Sequence, residues 1–245
     1  MPRRPFLTAE WRDLVMINYE IDPRALASLV PAGTELDQWN GRTLVSMVGF
    51  RFLNTRVLRI AVPGHRNFDE VNLRLYVRRK TPEGWRRGVV FVKEIVPRAA
   101  IAWIARTVYG ERYVALPMRH DVALDVDGLG GGGHAIYGWK WAGRWNRLGA
   151  EVTGSPAIPA EDSEAAFITE HYWGYASARD GSTSEYQVEH PRWRVWLADR
   201  VEFDCDVGAI YGAEFVAALS AKPSSAFVAD GSFIAVHKKT RTAIG

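Results

Sequence analysis

The chain has 245 residues, of which 47% are hydrophobic and 24% charged, as expected of a globular protein with a substantial core. The net charge is only +3, and its 25 arginines and six lysines are scattered or in short groups, which disfavours a nucleic-acid partner. No apolar run approaches the roughly 18 residues of a membrane-spanning helix, no signal peptide is visible, and Cys205 is the only cysteine, so we expect no membrane partner and a cytoplasmic location.

Short strands dominate the first half of the chain. In chain order they are a strand at Leu14–Ile21, a short helix after Asp22 that ends at Pro31, a strand at Thr43–Phe52, a strand through "VNLRLYV" and, after the turn "TPEGW", a returning strand "RGVVFVKEIV". Asp22 followed by proline is typical of a helix start.

The strand through "DEVNLRLYVR" alternates strictly. One face carries Val71, Leu73, Leu75 and Val77, and the other carries Glu70, Asn72, Arg74, Tyr76 and Arg78. The polar face has two interpretations. If it lines a cavity, Glu70 is desolvated and its pKa is raised towards a value suited to proton transfer. If it is the solvated side of a sheet, it has no such role, and composition alone favours this second interpretation.

A buried helix is predicted in "AAIAWIARTVYG", residues 99–110. Pro97 precedes it, and Gly110 stands where a left-handed cap would end it. The chain then presents Glu111, Arg112 and Tyr113 in consecutive positions. These three residues either line a site or simply follow an ordinary helix end.

The second half continues the same style. Its predicted elements are two strands around "GLGGGG", a strand "WNRLGAEVTG", a helix in "DSEAAFITEHY", a hairpin around Asp180-Gly181, a strand "RWRVWLADRVEFDCDV", an amphipathic helix "VGAIYGAEFVAALSA" and a last strand "AFVADGSFIAVHKK". Neither a linker nor a repeat divides the chain. We therefore predict one α+β domain over residues 1–245, built on a large, mostly antiparallel sheet. This sheet is either open or closed into a barrel.

Two histidines, His171 and His190, each follow a glutamate, in "TEHYW" and "VEHPRW". Histidines beside carboxylates can ligate a metal, but their spacing matches no known ligand pattern, and packing explains them equally well. The glycine-rich "GLGGGGH" lacks the Lys-Ser/Thr and helix of a phosphate loop. We expect neither a metal nor a cofactor.

Three blocks, in their order along the chain, carry a family resemblance. "WRDLVMINYEIDPRALASLVPAGTEL", "FDEVNLRLYV" and "AAIAWIARTVYGERY" resemble the acetoacetate decarboxylase superfamily. With "EHYW" and "VEHPRW", the chain is similar to a bacterial branch of unassigned function, over about residues 10–200. The resemblance implies a cone-shaped, mostly antiparallel closed β-barrel with small peripheral helices, a buried cavity and, by analogy with related barrels, a homo-oligomer as an open possibility.

The resemblance also implies site residues. The decarboxylases use a lysine that forms a Schiff base with a β-keto acid, an arginine that holds the carboxylate, and glutamates near the reacting carbon. Arg12 matches the arginine before the first strand, Glu70 matches one glutamate, and Arg106 matches the family's helix arginine. The strand at Thr43–Phe52 lacks the second glutamate. Tyr113 falls at the reactive lysine's position, and a phenol cannot form an iminium.

Lys93 is the one nearby amine that could replace the missing lysine. Alternation along "VVFVKEIV" puts it on the face of Val89 and Phe91, which could be inward; a lysine paired with Glu94 or another surface acid is the other interpretation.

Two classes of function follow. The first is a cavity that binds a small carboxylate or carbonyl compound without Schiff-base decarboxylation; the second is an enzyme on a small keto acid, by lyase- or isomerase-type acid–base chemistry or by decarboxylation through Lys93. The candidate catalytic residues are Glu70, Tyr113 and Lys93, and the candidate ligand-binding residues are Arg12, Asn72, Arg106, His171 and His190. Convergence of Glu70 and Tyr113 on one cavity would favour the enzyme.

Overall fold

The structure, a computed structural model, describes residues 4–61, 63–99, 112–125, 131–178 and 180–242. In these ranges the chain forms a 14-stranded sheet. The strands are β1 (Leu7–Glu20), β2 (Glu35–Leu36), β3 (Leu44–Val57), β4 (Phe68–Thr81), β5 (Gly84–Val96), β6 (Tyr113–Ala115), β7 (Met118–Asp125), β8 (Gly132–Trp141), β9 (Arg144–Thr153), β10 (Trp173–Ser177), β11 (Thr183–Glu189), β12 (Val195–Asp204), β13 (Ser225–Val236) and β14 (Thr240–Thr242).

The helices of the described ranges are short. They are the α-helices Pro23–Leu26, Glu164–Thr169, Val207–Ile210 and Val216–Leu219, with 3₁₀ turns at Ala27–Leu29 and Ala213–Phe215. Asp22 caps the first of them, as expected, and Ser163 caps the second: each side chain accepts a hydrogen bond from a backbone N–H group of the first turn. In these same ranges, no helix has the length and apolar character needed to cross a bilayer.

The long amphipathic helix predicted over residues 207–221 is wrong. Gly212 has a φ of 124° and divides the segment into separate single turns. An L side chain is strained at this φ, so the break favours glycine. The hydrophobic pattern was correct about burial, since Ile210, Phe215 and Leu219 are all core residues.

The sheet is mostly antiparallel, with β5 pairing in parallel with β6 and with β10. Strand β11 hydrogen-bonds both to β10 and to β13. The pairings therefore lead from β1 through β3, β4, β5, β10, β11 and β13 and return to β1. Strands β12, β9, β8 and β7 continue from β13 as an extension of the sheet.

Both faces of β4 are buried. Val71, Leu73 and Leu75 belong to a hydrophobic core that also contains Tyr137 and Trp139 of β8. Tyr76, on the other face, belongs to a second core with Phe50 of β3 and Phe167 of the helix Glu164–Thr169. The alternation predicted for β4 is thus confirmed, but the interpretation of its polar face as the solvated side of a sheet is wrong.

A β-bulge interrupts β5 opposite β4. Lys93 pairs with Leu73, whereas the next partner pair is Phe91 with Arg74, so Val92 is an extra residue. Because paired residues of neighbouring strands share a face, Phe91 and Glu94 lie on the polar face of β4, and Lys93 lies on the opposite face. A second irregularity occurs in β1 at Asp13, whose φ is 58°.

Candidate functional site

A cavity of about 90 Å³ lies on the polar face of β4, beside the second core. Most of its wall is apolar, contributed by residues such as Leu14, Phe50 and Val188. The polar side chains that line it are Glu70, Asn72, Arg74, Glu94, Tyr113, His171 and Tyr186. A mostly apolar cavity with a few convergent polar groups is the usual form of a small-molecule site.

Glu70 is 2% exposed. Asn72 Nδ2 donates a hydrogen bond to its Oε1 at 3.0 Å, and the Tyr113 hydroxyl donates to its Oε2 at 3.2 Å. Burial raises the pKa of Glu70 to about 7, and the two hydrogen bonds and the charge of Arg74 oppose this rise. A carboxyl group with this pKa is present in both protonation states at neutral pH, as a proton-transfer group requires.

Strand register brings the other members of this cluster together. Asn72 pairs with Glu94 of β5, and Glu94 pairs in turn with Tyr113 of β6. Burial, followed by the charges of Glu70 and Glu94, raises the pKa of Tyr113 well above its ordinary value. The phenol therefore remains protonated at neutral pH and acts as a hydrogen-bond donor. The structure places Glu70 and Tyr113 on one cavity and within hydrogen-bond distance.

Arg74 lies in the same wall without an acidic partner among the described residues. Its Nε donates to the Tyr76 hydroxyl at 3.2 Å, and its Nη2 donates to the Ile168 carbonyl at 3.4 Å and lies 3.7 Å from Met16 Sδ. Several buried carboxylates of the described chain pair with arginines, as Asp13 does with Arg51. A cavity arginine that makes no ion pair with an acid retains its capacity to bind an anion.

His171 also lines the cavity, and its side chain is 1% exposed. Its Nε2 lies 3.1 Å from Asp37 Oδ2, which also accepts a hydrogen bond from Arg87 Nε at 2.6 Å. Burial lowers the pKa of His171 to about 4, although Asp37 opposes this. The imidazole is therefore neutral at pH 7.

The position of Lys93 contradicts the prediction that it serves as the amine of the cavity. It lies outside the cavity, donates a hydrogen bond to the Ile210 carbonyl, and has its Nζ 5.8 Å from the ring centroid of Trp141. The Val92 bulge reverses the alternation that put Lys93 with Phe91. All six lysines of the sequence are among the described residues, and none lines the cavity.

Arg12 and His190 also lie away from the cavity wall. Arg12 is part of β1, and its Nη2 lies 2.8 Å from Glu10 Oε2. His190 stacks on Trp193 with ring centroids 4.1 Å apart. The prediction that Arg12 and His190 contact a ligand in this cavity is therefore wrong. Arg106 and most of the helix predicted at 99–110 lie outside the described residues.

Sequence reasoning missed several cavity residues as site candidates, among them Glu94, Arg74 and Trp11. Glu94 was interpreted as a surface acid, but it is 2% exposed and faces Asn72. Arg74 was correctly placed on the polar face of β4, and that position was the available signal. Trp11 lines the cavity from β1 and had no signal beyond its aromatic character. Where the chain is described, no group of three or more His, Cys, Asp or Glu residues is arranged to hold a metal ion.

Comparisons with known proteins agree with this architecture. Residues 8–232 match the DUF2071 family, described as an uncharacterized conserved protein. The uncharacterized protein YqjF of Bacillus subtilis (strain 168) is 27% identical over 212 residues, which are 83% of this chain and 79% of that protein.

Two solved structures are similar along almost the whole chain. The enduracididine biosynthesis enzyme MppR, complexed with pyruvate, superposes with a TM-score of 0.70 at 15% identity and covers 98% of this chain and 91% of its own. Acetoacetate decarboxylase from Legionella pneumophila superposes with a TM-score of 0.67 at 15% identity, and the match covers 99% of this chain and 88% of that protein. At these identities the likeness shows the fold: an acetoacetate decarboxylase-like fold, mostly β-sheet with a few small helices, as the sequence resemblance implied.

Proposed function

The chain belongs to the DUF2071 family, and we propose that this member binds a small carboxylate or carbonyl compound in its cavity and transfers a proton on it through Glu70 and Tyr113, without a Schiff base. The observation that carries the proposal is the Glu70–Tyr113 hydrogen bond in a cavity that also contains Arg74. Proton transfer needs a group whose pKa is near the working pH, and burial gives Glu70 a pKa of about 7.

The wall of the proposed site is the strand circuit β1–β3–β4–β5–β10–β11–β13, which we take to be the closed β-barrel implied by the resemblance. The β11–β13 pairing supports this assignment, because it returns the circuit to β1. Closure of a sheet fixes the relative positions of its inward side chains. Glu70, Arg74 and Glu94 would then be held in a constant geometry by β4 and β5.

Arg74 holds the ligand's carboxylate in this proposal. It takes the place that the resemblance gave to Arg12, and its guanidinium is free of acidic partners in the described chain. A cavity of about 90 Å³ is smaller than the roughly 150 Å³ that holds benzene, so it suits a molecule of a few carbon atoms. Pyruvate, with which MppR is complexed in its solved structure, is a molecule of this size.

The proton moves as follows. Glu70 in its carboxylate form takes a proton from the carbon next to the ligand's carboxylate or carbonyl group. The electron pair of that C–H bond stays on the ligand as an enolate, next to the positive charge of Arg74. Glu70, now protonated, returns the proton to the same carbon. Tyr113 stays protonated and donates to Glu70 when Glu70 is ionised.

We expect no covalent adduct with a keto acid. Incubation with acetoacetate or pyruvate and borohydride should leave the mass of the intact protein unchanged, because no lysine lines the cavity. Mass spectrometry checks this result, with an authentic acetoacetate decarboxylase as the positive control. A reduced adduct on Lys93 would contradict both its placement against Ile210 and the proposed non-covalent mechanism.

Deuterium incorporation tests the proposed proton transfer. In D₂O, the protein should exchange hydrogen for deuterium on at least one acid of three to five carbons, as detected by NMR. The deuterium should appear on the carbon next to the ketone carbonyl of a keto acid, or on the carbon next to the carboxylate of a hydroxy or amino acid. Glu70→Gln should slow incorporation by at least about 100-fold, in line with the loss of a general base. The exposed Glu161→Gln should not change it. Absence of incorporation by any acid of the panel would refute proton transfer, and binding that persists would then identify a binding protein, the second candidate.

A further inference from the structure

Some buried polar atoms of the cavity residues have no hydrogen-bond partner in the described parts of the chain. They include a donor, Trp11 Nε1, and the side-chain acceptors Asn72 Oδ1 and His171 Nδ1. A buried polar atom without a partner costs free energy, so a ligand gains affinity when it supplies the missing hydrogen bond. The polarity of these atoms therefore limits which ligands bind well.

The tautomer of His171 follows from its partners. Asp37 is a carboxylate that already receives the Arg87 guanidinium, so His171 Nε2 must supply the proton of their hydrogen bond. Since burial keeps the ring neutral at pH 7 by lowering its pKa to about 4, Nδ1 carries a lone pair and no proton. It can only accept a hydrogen bond.

Asn72 is oriented in a similar way. Its Nδ2 donates to Glu70, so its amide oxygen is the atom left without a partner. Trp11 Nε1 and the Arg74 guanidinium are donors and match the oxygens of a carboxylate. A keto acid contains only acceptor oxygens and would leave both Asn72 Oδ1 and His171 Nδ1 unsatisfied.

We infer that the cavity selects small carboxylic acids that carry a hydrogen-bond donor next to the carboxylate, as a hydroxyl or ammonium group, over keto acids of the same size. This inference rests on the proposed function, because it assumes that Arg74 holds the carboxylate. The donor group then faces the acceptors Asn72 and His171. Glu70 and Glu94 in the same wall are compatible with an ammonium group.

Three acids of equal carbon number, pyruvate, lactate and alanine, test the inference. Isothermal titration calorimetry on the unmodified protein at pH 7 should give lactate or alanine a dissociation constant at least about tenfold lower than that of pyruvate, the effect expected of one buried acceptor left unpaired. Tighter lactate assigns the donor as a hydroxyl, and tighter alanine as an ammonium group. A smaller ratio, or preference for pyruvate, overturns the inference while leaving carboxylate binding intact. Failure of all three acids to bind overturns the proposed function as well.

A pair of histidine variants shows whether the selectivity comes from the cavity. His171→Phe should reduce the preference for the donor acid at least fivefold and change pyruvate affinity less. Asp37 keeps Arg87 as its partner in this variant, and the ring site is bordered by Tyr76 and Phe167. His190→Phe makes the same change outside the cavity and should keep the wild-type preference. If His171→Phe keeps it too, His171 is not the selecting acceptor, and the inference fails. If His171→Phe does not fold, the three-acid comparison decides alone.

Discussion

Replacing Arg74 by methionine is expected to weaken binding of a small carboxylate by about 100-fold. The guanidinium lies in the cavity wall, where it contacts only neutral groups of the described chain: the Tyr76 hydroxyl, the Ile168 carbonyl and Met16 Sδ. Hydrogen bonds to a charged group away from water contribute about 1.5 to 3 kcal/mol each, and about 1.4 kcal/mol is a tenfold change in affinity. Calorimetric titration with the tightest acid of the three-carbon panel measures the loss.

Arg12→Met is the matched control for that variant. It removes the same charge from a residue that pairs with Glu10 outside the cavity, so affinity should stay within about threefold of the wild type. Arg74→Lys retains the charge but loses the two-pronged geometry, and should lie between wild type and Arg74→Met. An Arg74→Met protein that is folded, as judged by circular dichroism, and binds the acid normally would remove the basis of the proposed carboxylate site.

The stability of the protein should depend on pH through Glu70. Its pKa in the folded chain is about 7 against an ordinary value of 4.5, because burial disfavours the charged form. The folded state therefore holds a proton that the unfolded state has lost between these values, and the stabilisation present below pH 4.5 is lost as pH rises through 7. At about 1.4 kcal/mol per pH unit, the loss is on the order of 3 kcal/mol.

Glu70→Gln removes this dependence, because glutamine does not ionise. Urea denaturation should show that the variant gains stability relative to wild type between pH 4.5 and pH 8, by roughly that amount. Glu161→Gln should show no such change, since this carboxyl group, 92% exposed, meets water in both states. A wild-type protein and Glu70→Gln with parallel pH profiles would mean that Glu70 is not desolvated, and the proposed proton-transfer group would lose its physical basis.

Sequence alternation correctly predicted the two faces of β4, the strand that carries most of the candidate site. It separated Glu70, Asn72 and Arg74 from Val71 and Leu73, and both sets lie where this pattern puts them. The pattern could not decide between solvent and cavity for the polar set. That outcome depends on the pairing of β11 with β13 and on packing around it, which are contacts between distant parts of the chain.

Sequence reasoning failed where backbone geometry changes without a clear signal. The Val92 bulge turned Lys93 away from the cavity and Glu94 towards it, and "FVKEIV" contains no glycine or proline to mark it. His171 was selected for the glutamate before it in the sequence, whereas its partner is Asp37, 134 residues away. Side-chain pairs of this kind follow from tertiary structure, so local spacing does not reveal them.

The absence of a lysine from the cavity wall also bears on how the proposed site would exchange a ligand. A molecule held only by hydrogen bonds and charge leaves without hydrolysis of a bond to the protein, so its residence time is set by dissociation alone. Occupancy of the cavity would then follow the free concentration of the ligand in both directions, rising and falling with supply.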